Sequence, residues 1–427
     1  MACEWTTVLL RDLIEFTRDG EWGGDQPTAD TVEMRVVRGT DFARLRLGAL
    51  EEIPRRYIER GAAERKQLRP GDVLIETAGG TKDQSTGRTA LVKQSHIDRA
   101  GFPLTCASFA RFLRFDRTKI DSGFMYWWLQ GLHASGEMEM HQVQHTGVAR
   151  FQFTKFVEST EAPVPPLPEQ RAIAHVLGTL DEKIELNRRM NETLEAMARA
   201  IFKSWFIDFD PVRAKAEGRD PGLPKPIADL FPDRFEDAEL GDIPAGWKVE
   251  TLGNVIELAY GNALKQEVRK AGSVAVFGSN GQVGWHDEKL VTGPGIVVGR
   301  KGNPGVVKWV PTDFFPIDTT FYVVPKNKCH SLHFLFYALK VQDLASLGAD
   351  SAVPGLNRNL AYMSKQIVPP GALLDTFESF VTPLFQRIYE ADNESGTLAG
   401  VRDALLPRLI SGELRVKDAE RLLGVQP

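Results

Sequence analysis

Two long segments of the chain carry apolar residues at alternating steps of four and three positions. The first segment has Ile173, Leu177, Leu180, Ile184, Asn187, Asn191, Leu194, Ala198, Ile201 and Trp205 at these positions. The second has Phe377, Val381, Leu384, Ile388, Ala391, Ser395, Leu398, Arg402, Leu405 and Leu409. This spacing of 3.5 residues is typical of helices that pair in a coiled coil. The pattern therefore predicts two long helices with one apolar seam each.

The residues at the ends of these segments agree with helix boundaries. Pro168 suits the first turn of the first helix, and Gly412 suits the end of the second. Pro383 predicts a kink or an interruption in the second helix, because proline has no N–H to donate. Each helix could pack only on its own domain, but two seams of equal length favour pairing with each other. Asn187 and Asn191 opposite small residues would then fix the register.

The chain contains an internal repeat. The segment from Trp5 to Glu15 recurs from Trp247 to Glu257, at an offset of 242 residues. The helical segments repeat without a gap at an offset of 204, from Pro165-Pro166 and Pro369-Pro370 onward. Such a repeat indicates two similar units, each a globular part followed by a helix. The first globular part is longer by 38 residues, the difference between the two offsets.

The globular parts have the sequence pattern of mixed α/β domains. Short apolar runs between turn residues predict strands at Val73–Ile75, Gly295–Val298, Val306–Val310 and Phe321–Pro325. Aromatic-rich runs predict buried helices at Phe124–Leu129 and His333–Leu339. We therefore predict an α+β protein with globular domains at 1–162 and 247–370, a central helix at 163–206, a linker at 207–246, and a C-terminal helix at 371–427 that pairs with the central one.

Composition narrows the class of protein only a little. The net charge of −5 argues mildly against a nucleic-acid partner, yet residues 247–370 carry four more basic than acidic side chains, and 35–69 carry ten basic against five acidic. Locally basic surfaces can still bind phosphate. The three cysteines are far apart, which argues against disulfides. The N-terminus resembles neither a signal peptide nor a membrane anchor, so we expect a cytoplasmic protein without a membrane partner.

Several motifs resemble the specificity subunits of type I restriction-modification systems. The resemblance is carried by Pro165-Pro-Leu-Pro-Glu-Gln-Arg, by Asp181-Glu-Lys-Ile-Glu-Leu-Asn and by the run from Met190 to Arg213. Arg402-Asp-Ala-Leu-Leu-Pro-Arg-Leu-Ile-Ser-Gly-Glu-Leu-Arg resembles the end of the second helical region of the family. Gly71-Asp-Val-Leu, the run from Gly278 to Gly302, and Val353-Pro-Gly-Leu-Asn resemble its target-recognition domains. The match is weaker in residues 16–70.

This resemblance implies a non-catalytic, DNA-binding subunit. Two target-recognition domains would be separated by a long antiparallel coiled coil, with a pseudo-two-fold internal repeat. Each domain would recognise one half of a split, asymmetric target in double-stranded DNA. The helices would set the gap and dock two modification subunits, which methylate adenine N6 with S-adenosylmethionine. Restriction subunits, which use ATP with magnesium, would complete the complex, and this chain would bind no cofactor itself.

Other classes of protein fit the sequence less well. An adenine methyltransferase needs an Asn/Asp-Pro-Pro-aromatic motif, and Asp210-Pro-Val and Asn303-Pro-Gly do not complete it. A phosphate-binding loop of the G-x-x-x-x-G-K-S/T kind is not present in the sequence. The alternatives are an orphan DNA-binding or scaffold protein, or a DNA methyltransferase or nuclease in its own right. A pure scaffold would explain the coiled coil but not two turn-rich domains with basic segments.

Candidate DNA-binding residues lie in polar loops of both globular parts. Arginine, asparagine and glutamine can contact base edges in pairs of hydrogen bonds, whereas lysine more often binds phosphate. In the first part the candidates are Lys82, Gln84, Ser85, Thr86, Arg88, Gln142, Gln144, His145 and Thr146. In the second part they are Asn280, Gln282, Arg300, Lys301, Asn303, Asn357, Arg358 and Asn359. The pairs His141/His145 and His330/His333 are too few to predict a metal site, so we expect these histidines at the surface or facing DNA.

Overall fold

A computed structural model describes residues 5–80, 85–145, 148–326, 328–347 and 355–422. The chain divides into two compact units. Unit 1 comprises residues 1–186 and 394–427, and unit 2 comprises residues 187–393. Both unit boundaries fall within long helices, so each unit contains parts of both helices together with its own globular part.

The strands of the described residues are short. Up to residue 164 they are β1 (Thr6–Leu9), β2 (Ile14–Asp19), β3 (Thr31–Val37), β4 (Arg55–Glu59), β5 (Val73–Glu76), β6 (Ala78–Gly80), β7 (Thr89–Leu91), β8 (Leu104–Cys106), β9 (Ala110–Phe115), β10 (Gln142–His145), β11 (Val148–Phe151) and β12 (Glu161–Val164). From residue 235 they are β13 (Phe235–Ala238), β14 (Gly241–Pro244), β15 (Lys248–Thr251), β16 (Ile256–Tyr260), β17 (Val274–Gly278), β18 (Gly281–His286), β19 (Gly295–Gly299), β20 (Val307–Val310), β21 (Phe314–Pro316), β22 (Thr320–Pro325) and β23 (Lys365–Val368).

Two of the helices are far longer than the others. The α-helices are α1 (Phe42–Arg46), α2 (Arg60–Lys66), α3 (Gln94–Ala100), α4 (Ser122–Ala134), α5 (Phe153–Ser159), α6 (Leu167–Phe206), α7 (Asp210–Ala216), α8 (Lys225–Ala228), α9 (Leu252–Val255), α10 (Leu332–Val341), α11 (Arg358–Met363), α12 (Gly371–Ile410) and α13 (Val416–Leu422). Five short 3-10 helices lie at Leu10–Leu13, Gly39–Asp41, Glu137–His141, Gln266–Val268 and Leu344–Leu347. Among the residues described, no helix is both long and apolar enough to cross a membrane.

The two units repeat the same sheet topology. Unit 1 has a four-stranded sheet in the order β2-β9-β5-β7 and a three-stranded sheet in the order β4-β3-β8. Unit 2 has the corresponding orders β16-β22-β19-β20 and β18-β17-β21. The pairs β3–β8 and β17–β21 are both parallel, and β1–β12 corresponds to the antiparallel pair β15–β23. The repeat seen in the sequence is thus confirmed as a repeat of the fold.

Insertions in unit 1 account for its greater length. Residues 38–54, including α1, connect β3 to β4, where unit 2 has a tight turn between β17 and β18. Helix α3 lies between β7 and β8, where unit 2 has only a short connection between β20 and β21. Unit 1 also has a three-stranded sheet in the order β10-β11-β6, where the described residues of unit 2 show only the bridge between Lys301 and Gly355.

The predicted strands and buried helices are present. Strands β5 and β19 are buried along their whole length, as expected for short apolar runs between two neighbouring strands. Helix α4 begins at Asp121, whose carboxylate accepts hydrogen bonds from the N–H groups of Gly123 and Phe124. Helix α10 begins at Ser331 in the same way. Both helices bury most of their aromatic side chains in the core of their own unit.

Within each unit the two long helices pair with their chain directions opposed. In unit 2, the side-chain amide of Asn187 donates to the carbonyl of Ala391, its own counterpart in the repeat (3.4 Å). Asn191 donates to the carbonyl of Ile388 and to the carboxylate of Asp392. Every predicted seam residue is buried or half-buried in its unit. The same helices also contact the globular part of their unit. Pairing of the helices with each other and packing of each helix on its own domain therefore occur together.

Pro383 does not interrupt the second helix. Helix α12 continues through it without a break, so the interruption expected from the sequence is wrong. Proline removes one intrahelical hydrogen bond, but Phe377, Val381 and Phe385 on either side are buried in the core of unit 2. Packing of these side chains offsets the loss of one hydrogen bond.

The segment 207–246 is not an extended linker. It contains α7, α8 and the hairpin β13–β14, and it buries Phe209, Val212, Phe231 and Ile243 in the core of unit 2. Prolines, glycines and acidic residues separate these apolar side chains along the sequence. The segment therefore lacks the periodicity that would have predicted a folded element.

A buried carboxylate ties the globular part of unit 1 to its two long helices. Asp181 of α6 accepts hydrogen bonds from Arg46 of α1 and from Arg402 of α12. Burial alone would raise the pKa of Asp181, but the hydrogen bonds and charges of the two arginines outweigh it, so the pKa is lowered. Lys93 and Glu182 add a neighbouring pair at 3.0 Å. The inserted helix α1 is thus anchored where the helices pair.

Candidate DNA interface

In unit 2, the structure brings together two loops that are distant in sequence. The loop that follows β19 begins at Arg300, and the segment before α11 begins at Gly355. Lys301 and Gly355 form an isolated antiparallel bridge, and the N–H of Leu356 donates to the carbonyl of Arg300 at 2.8 Å. Candidate residues from both segments therefore occupy one surface of unit 2.

This surface carries cations that have no acidic partner among the described residues. Among the described residues, no carboxylate forms a salt bridge with Arg300, Lys301 or Arg358. Lys301 is exposed, and the two arginines are half-buried. Arg300 donates one guanidinium N–H to the carbonyl of Asp318 (3.0 Å). The Nε of Arg358 is buried and has no hydrogen-bond partner in the described part of the chain. Positive charge that the protein does not neutralise is what a phosphate backbone requires.

Tyr260 lies at the centre of this cluster and was not among the candidates. The guanidinium carbons of Arg300 and Arg358 each lie 4.7 Å from the centroid of its ring. The ring is 46% exposed, so a large part of it remains accessible to a ligand. A single tyrosine at the end of a strand gives no signal in the sequence that it meets residues 40 and 98 positions later.

The asparagine and glutamine candidates of unit 2 differ in how far they are engaged. Asn357 caps helix α11, since its side-chain oxygen accepts from the N–H groups of Asn359 and Leu360. Asn303 donates its side-chain amide to the side chain of Asn280 across the loop. Asn359 and Gln282 have exposed side chains. The cap restricts Asn357 to contacts through its amide nitrogen.

In unit 1, the candidates Ser85, Thr86, Arg88 and Gln142 have partners within the unit. Strand β6 follows β5 and pairs with β11, as the loop after β19 pairs with Gly355. Thr86 is buried and donates its N–H and hydroxyl to the side-chain oxygen of Gln142. Ser85 contacts His133 at 3.3 Å. These residues hold two segments of unit 1 together.

Arg88 forms a two-fold hydrogen bond with the buried carboxylate of Glu76, at 2.9 and 2.6 Å. The pKa of Arg88 is raised, first by this hydrogen bond. Arg88 is thus neutralised inside the unit, unlike Arg300. Lys82, Gln84 and Thr146 lie outside the described residues. For Gln144 and His145 the structure gives only the backbone pairing of β10 with β11.

The histidine candidates differ in how far they agree with the expected surface positions. His330 is exposed, as expected, and pairs with Asp375 at 2.7 Å. His141 is half-buried, with its ring 5.2 Å from that of Phe156. His333 is 4% exposed and stacks on Trp309, with ring centroids 4.3 Å apart. The surface position expected for His333 is therefore wrong, whereas the buried helix predicted from the same residue onward is present. In the part of the chain that is described, no group of three His, Cys, Asp or Glu side chains could hold a metal ion.

Comparisons with known proteins identify the family of the chain. The sequence profile of the type I restriction modification DNA specificity domain matches residues 4–196 and 244–368. The type I restriction enzyme HindI specificity subunit of Haemophilus influenzae is 26% identical over 327 residues, which cover 60% of this chain and 70% of that protein. The MjaIX specificity subunit of Methanocaldococcus jannaschii is 28% identical over 286 residues, which cover 61% and 62%.

A solved structure shows a similar fold. The type I restriction-modification system S subunit from M. genitalium matches with a TM-score of 0.61 at 18% identity, over 95% of this chain and 96% of that one. The chain belongs to the type I restriction-modification DNA specificity family, as its motifs indicated. Proteins of this family are the DNA-recognition component of such systems and are not themselves catalytic.

Proposed function

We propose that units 1 and 2 each recognise one half of a split, asymmetric DNA target. The observation that carries this proposal is the cluster of cations on two converging segments of unit 2, which no carboxylate of the described residues neutralises. Unit 1 repeats the topology that positions those loops. Two similar folds with different side chains at the equivalent place suit two different half-sites.

The paired helices are proposed to set the gap between the half-sites and to dock two modification subunits. Those subunits would transfer methyl groups from S-adenosylmethionine to adenine N6, and restriction subunits would use ATP with magnesium. This chain contributes DNA recognition to such a complex in the cytoplasm, where the target DNA lies. The domain boundaries proposed for recognition are 1–162 and 247–370.

Replacing Arg300 and Lys301 together with alanine should weaken binding to the target by about 1–3 kcal/mol if Arg300 contacts a base. The sequence preference should relax in one half-site only, because both residues belong to unit 2. If they contact only phosphate, affinity should fall evenly across sequences and its salt dependence should flatten. Electrophoretic or fluorescence titration with duplexes altered in one half-site at a time measures both effects.

A matched control removes two cations that the protein neutralises itself. Lys289 pairs with Asp313 at 2.7 Å and Lys328 with Glu250 at 2.5 Å, both in unit 2. Replacing these two lysines with alanine changes the net charge equally but should leave the sequence preference intact. Unchanged affinity of the Arg300/Lys301 variant at low salt would place this loop outside the interface.

A further inference from the structure

The guanidinium groups of Arg300 and Arg358 share one aromatic ring. Both lie 4.7 Å from the ring centroid of Tyr260. Arg300 also donates to the carbonyl of Asp318 (3.0 Å), and each arginine lies farther from a second ring, Arg300 from Phe321 (5.8 Å) and Arg358 from Tyr362 (5.7 Å). Arginine side chains have several rotatable bonds, and two like charges near each other repel, so an exposed pair needs a feature that holds it. The negative face of an aromatic ring attracts guanidinium groups and supplies such a feature.

The position of Tyr260 is itself fixed by the sheet. It ends β16 opposite Phe321 of β22, and the two rings lie 5.0 Å apart. The next residue is Gly261, where an added Cβ would lie 2.2 Å from the carbonyl oxygen of Ile317. Only glycine fits this close approach, which lets the end of β16 pack directly against the backbone at Ile317. The backbone of Tyr260 is thus placed by strand pairing on one side and by this contact on the other.

Unit 1 has a different arrangement at the equivalent place in its sheet. Asp19 ends β2 opposite Arg111 of β9, as Tyr260 ends β16 opposite Phe321. Arg111 lies 4.6 Å from the ring centroid of Phe153, the first residue of α5. Asp19 neutralises Arg111 with hydrogen bonds of 2.9 and 2.7 Å. Where unit 1 has an ion pair, unit 2 thus has a ring beside two arginines that no carboxylate of the described residues neutralises.

We propose that Tyr260 is a positioning residue for DNA recognition by unit 2. It holds Arg300 and Arg358 together so that both act on the same segment of DNA, at guanine edges or at the adjoining phosphates. This inference rests on the proposed function, since it assumes that unit 2 binds one half-site through these loops. Tyr260 acts through the two arginines, and its own hydroxyl is not required.

The test is a double-mutant cycle on the full chain in complex with its modification subunit. The probe is a duplex carrying the methylated motif found for the unaltered complex. Tyr260→Leu should weaken binding by about tenfold, the size expected for losing two exposed cation–π contacts. Tyr260→Phe should bind as the unaltered protein does, because phenylalanine keeps the ring. In a chain that also carries Arg300→Ala and Arg358→Ala, Tyr260→Leu should change the affinity by less than about twofold.

A control variant separates this role from a general effect of removing an exposed ring. Trp22 of unit 1 lies 4.5 Å from the guanidinium carbon of Arg56, which forms a salt bridge with Asp25. Trp22→Leu should leave DNA affinity unchanged, because its arginine is already neutralised.

Two results would overturn the inference while the proposed function stands. One is a Tyr260→Leu variant that binds normally although the Arg300/Arg358 variant binds weakly. The other is an equal loss from Tyr260→Leu with and without the two arginines, which would mean that the ring contacts DNA directly. If the Arg300/Arg358 variant itself binds normally, the proposed interface of unit 2 is wrong, and the inference falls with it.

Discussion

Lengthening both long helices by one heptad should lengthen the gap between the two half-sites and leave the half-sites themselves unchanged. The register of the pair decides where the insertions belong. Asn191 of α6 donates to the carbonyl of Ile388 of α12, so these two positions lie side by side. An insertion of seven residues after Asn191 must therefore be matched by an insertion of seven residues after Arg387. Inserted there, both heptads keep the apolar seam in phase and extend the pair by about 10 Å.

Each base pair of the gap adds a rise of about 3.4 Å, and the recognition units also rotate around the duplex as they separate. We therefore expect the gap to grow by only about one to three base pairs. Sequencing of methylated DNA from a strain that carries the variant and its modification subunit measures the gap directly. A heptad in α6 alone is the control, because it puts the two seams out of register and should abolish methylation. A doubly lengthened, active variant with the original gap would show that the helices do not set the spacing.

Glu378→Ala should destabilise unit 2 by about 2–4 kcal/mol at neutral pH, because it leaves buried donors without an acceptor. The carboxylate of Glu378 in α12 accepts from the hydroxyl of Ser331 at 2.7 Å and from the N–H of His333 at 3.0 Å. It also contacts Nδ1 of His333 at 2.5 Å. Hydrogen–deuterium exchange of α10 measures the loss locally, which matters in a chain of two units.

The effect of Glu378 should depend on pH. Burial alone would raise the pKa of Glu378, but the hydrogen bond and charge of His333 and the hydrogen bond of Ser331 lower it to about 2. A carboxylate whose pKa is depressed by folding contributes stability above its unfolded pKa, and this is lost as the pH falls through the folded value. The difference in free energy of unfolding between the unaltered protein and Glu378→Ala should therefore be largest at pH 7 and should shrink between about pH 4.5 and pH 2.

Glu378→Gln keeps an acceptor but not the charge, so its loss of stability should be smaller than that of Glu378→Ala. The exposed Glu390 of the same helix is a suitable control, because it pairs only with Arg387 at 3.6 Å and with the exposed Gln386. If Glu378→Ala lowers the free energy of unfolding by the same amount at every pH down to pH 2, the charge of Glu378 does not stabilise unit 2.

The long helices and the repeat could be predicted because they depend on periodicity along the chain. Seam residues such as Leu177 and Phe377 recur at helical spacing, and helices of 40 residues give that pattern many turns. The strands β5 and β19 were also evident as short apolar runs. The continuity of α12 through Pro383 could not be predicted, since it depends on tertiary packing around the proline.

The candidate interface was predictable only in part, because charge compensation is decided in three dimensions. Arg88 and Arg300 follow equivalent strands and look alike in the sequence, yet Arg88 is paired with Glu76 and Arg300 has no acidic partner among the described residues. Asn357 has the residue type of a base contact and acts as a helix cap. Tyr260 gave no signal at all, since its role depends on two arginines from other segments.

The central claim is that this chain supplies the sequence preference of a methylating complex through two recognition units. The most direct measurement is single-molecule sequencing of methylated DNA from cells that express the cognate modification subunit with this chain, without it, and with the Arg300/Lys301 alanine variant. The account predicts methylated adenines in one split motif, no such motif without the chain, and relaxation or loss of a single half-site with the variant. Methylation that persists without the chain, or an uninterrupted motif, would contradict it.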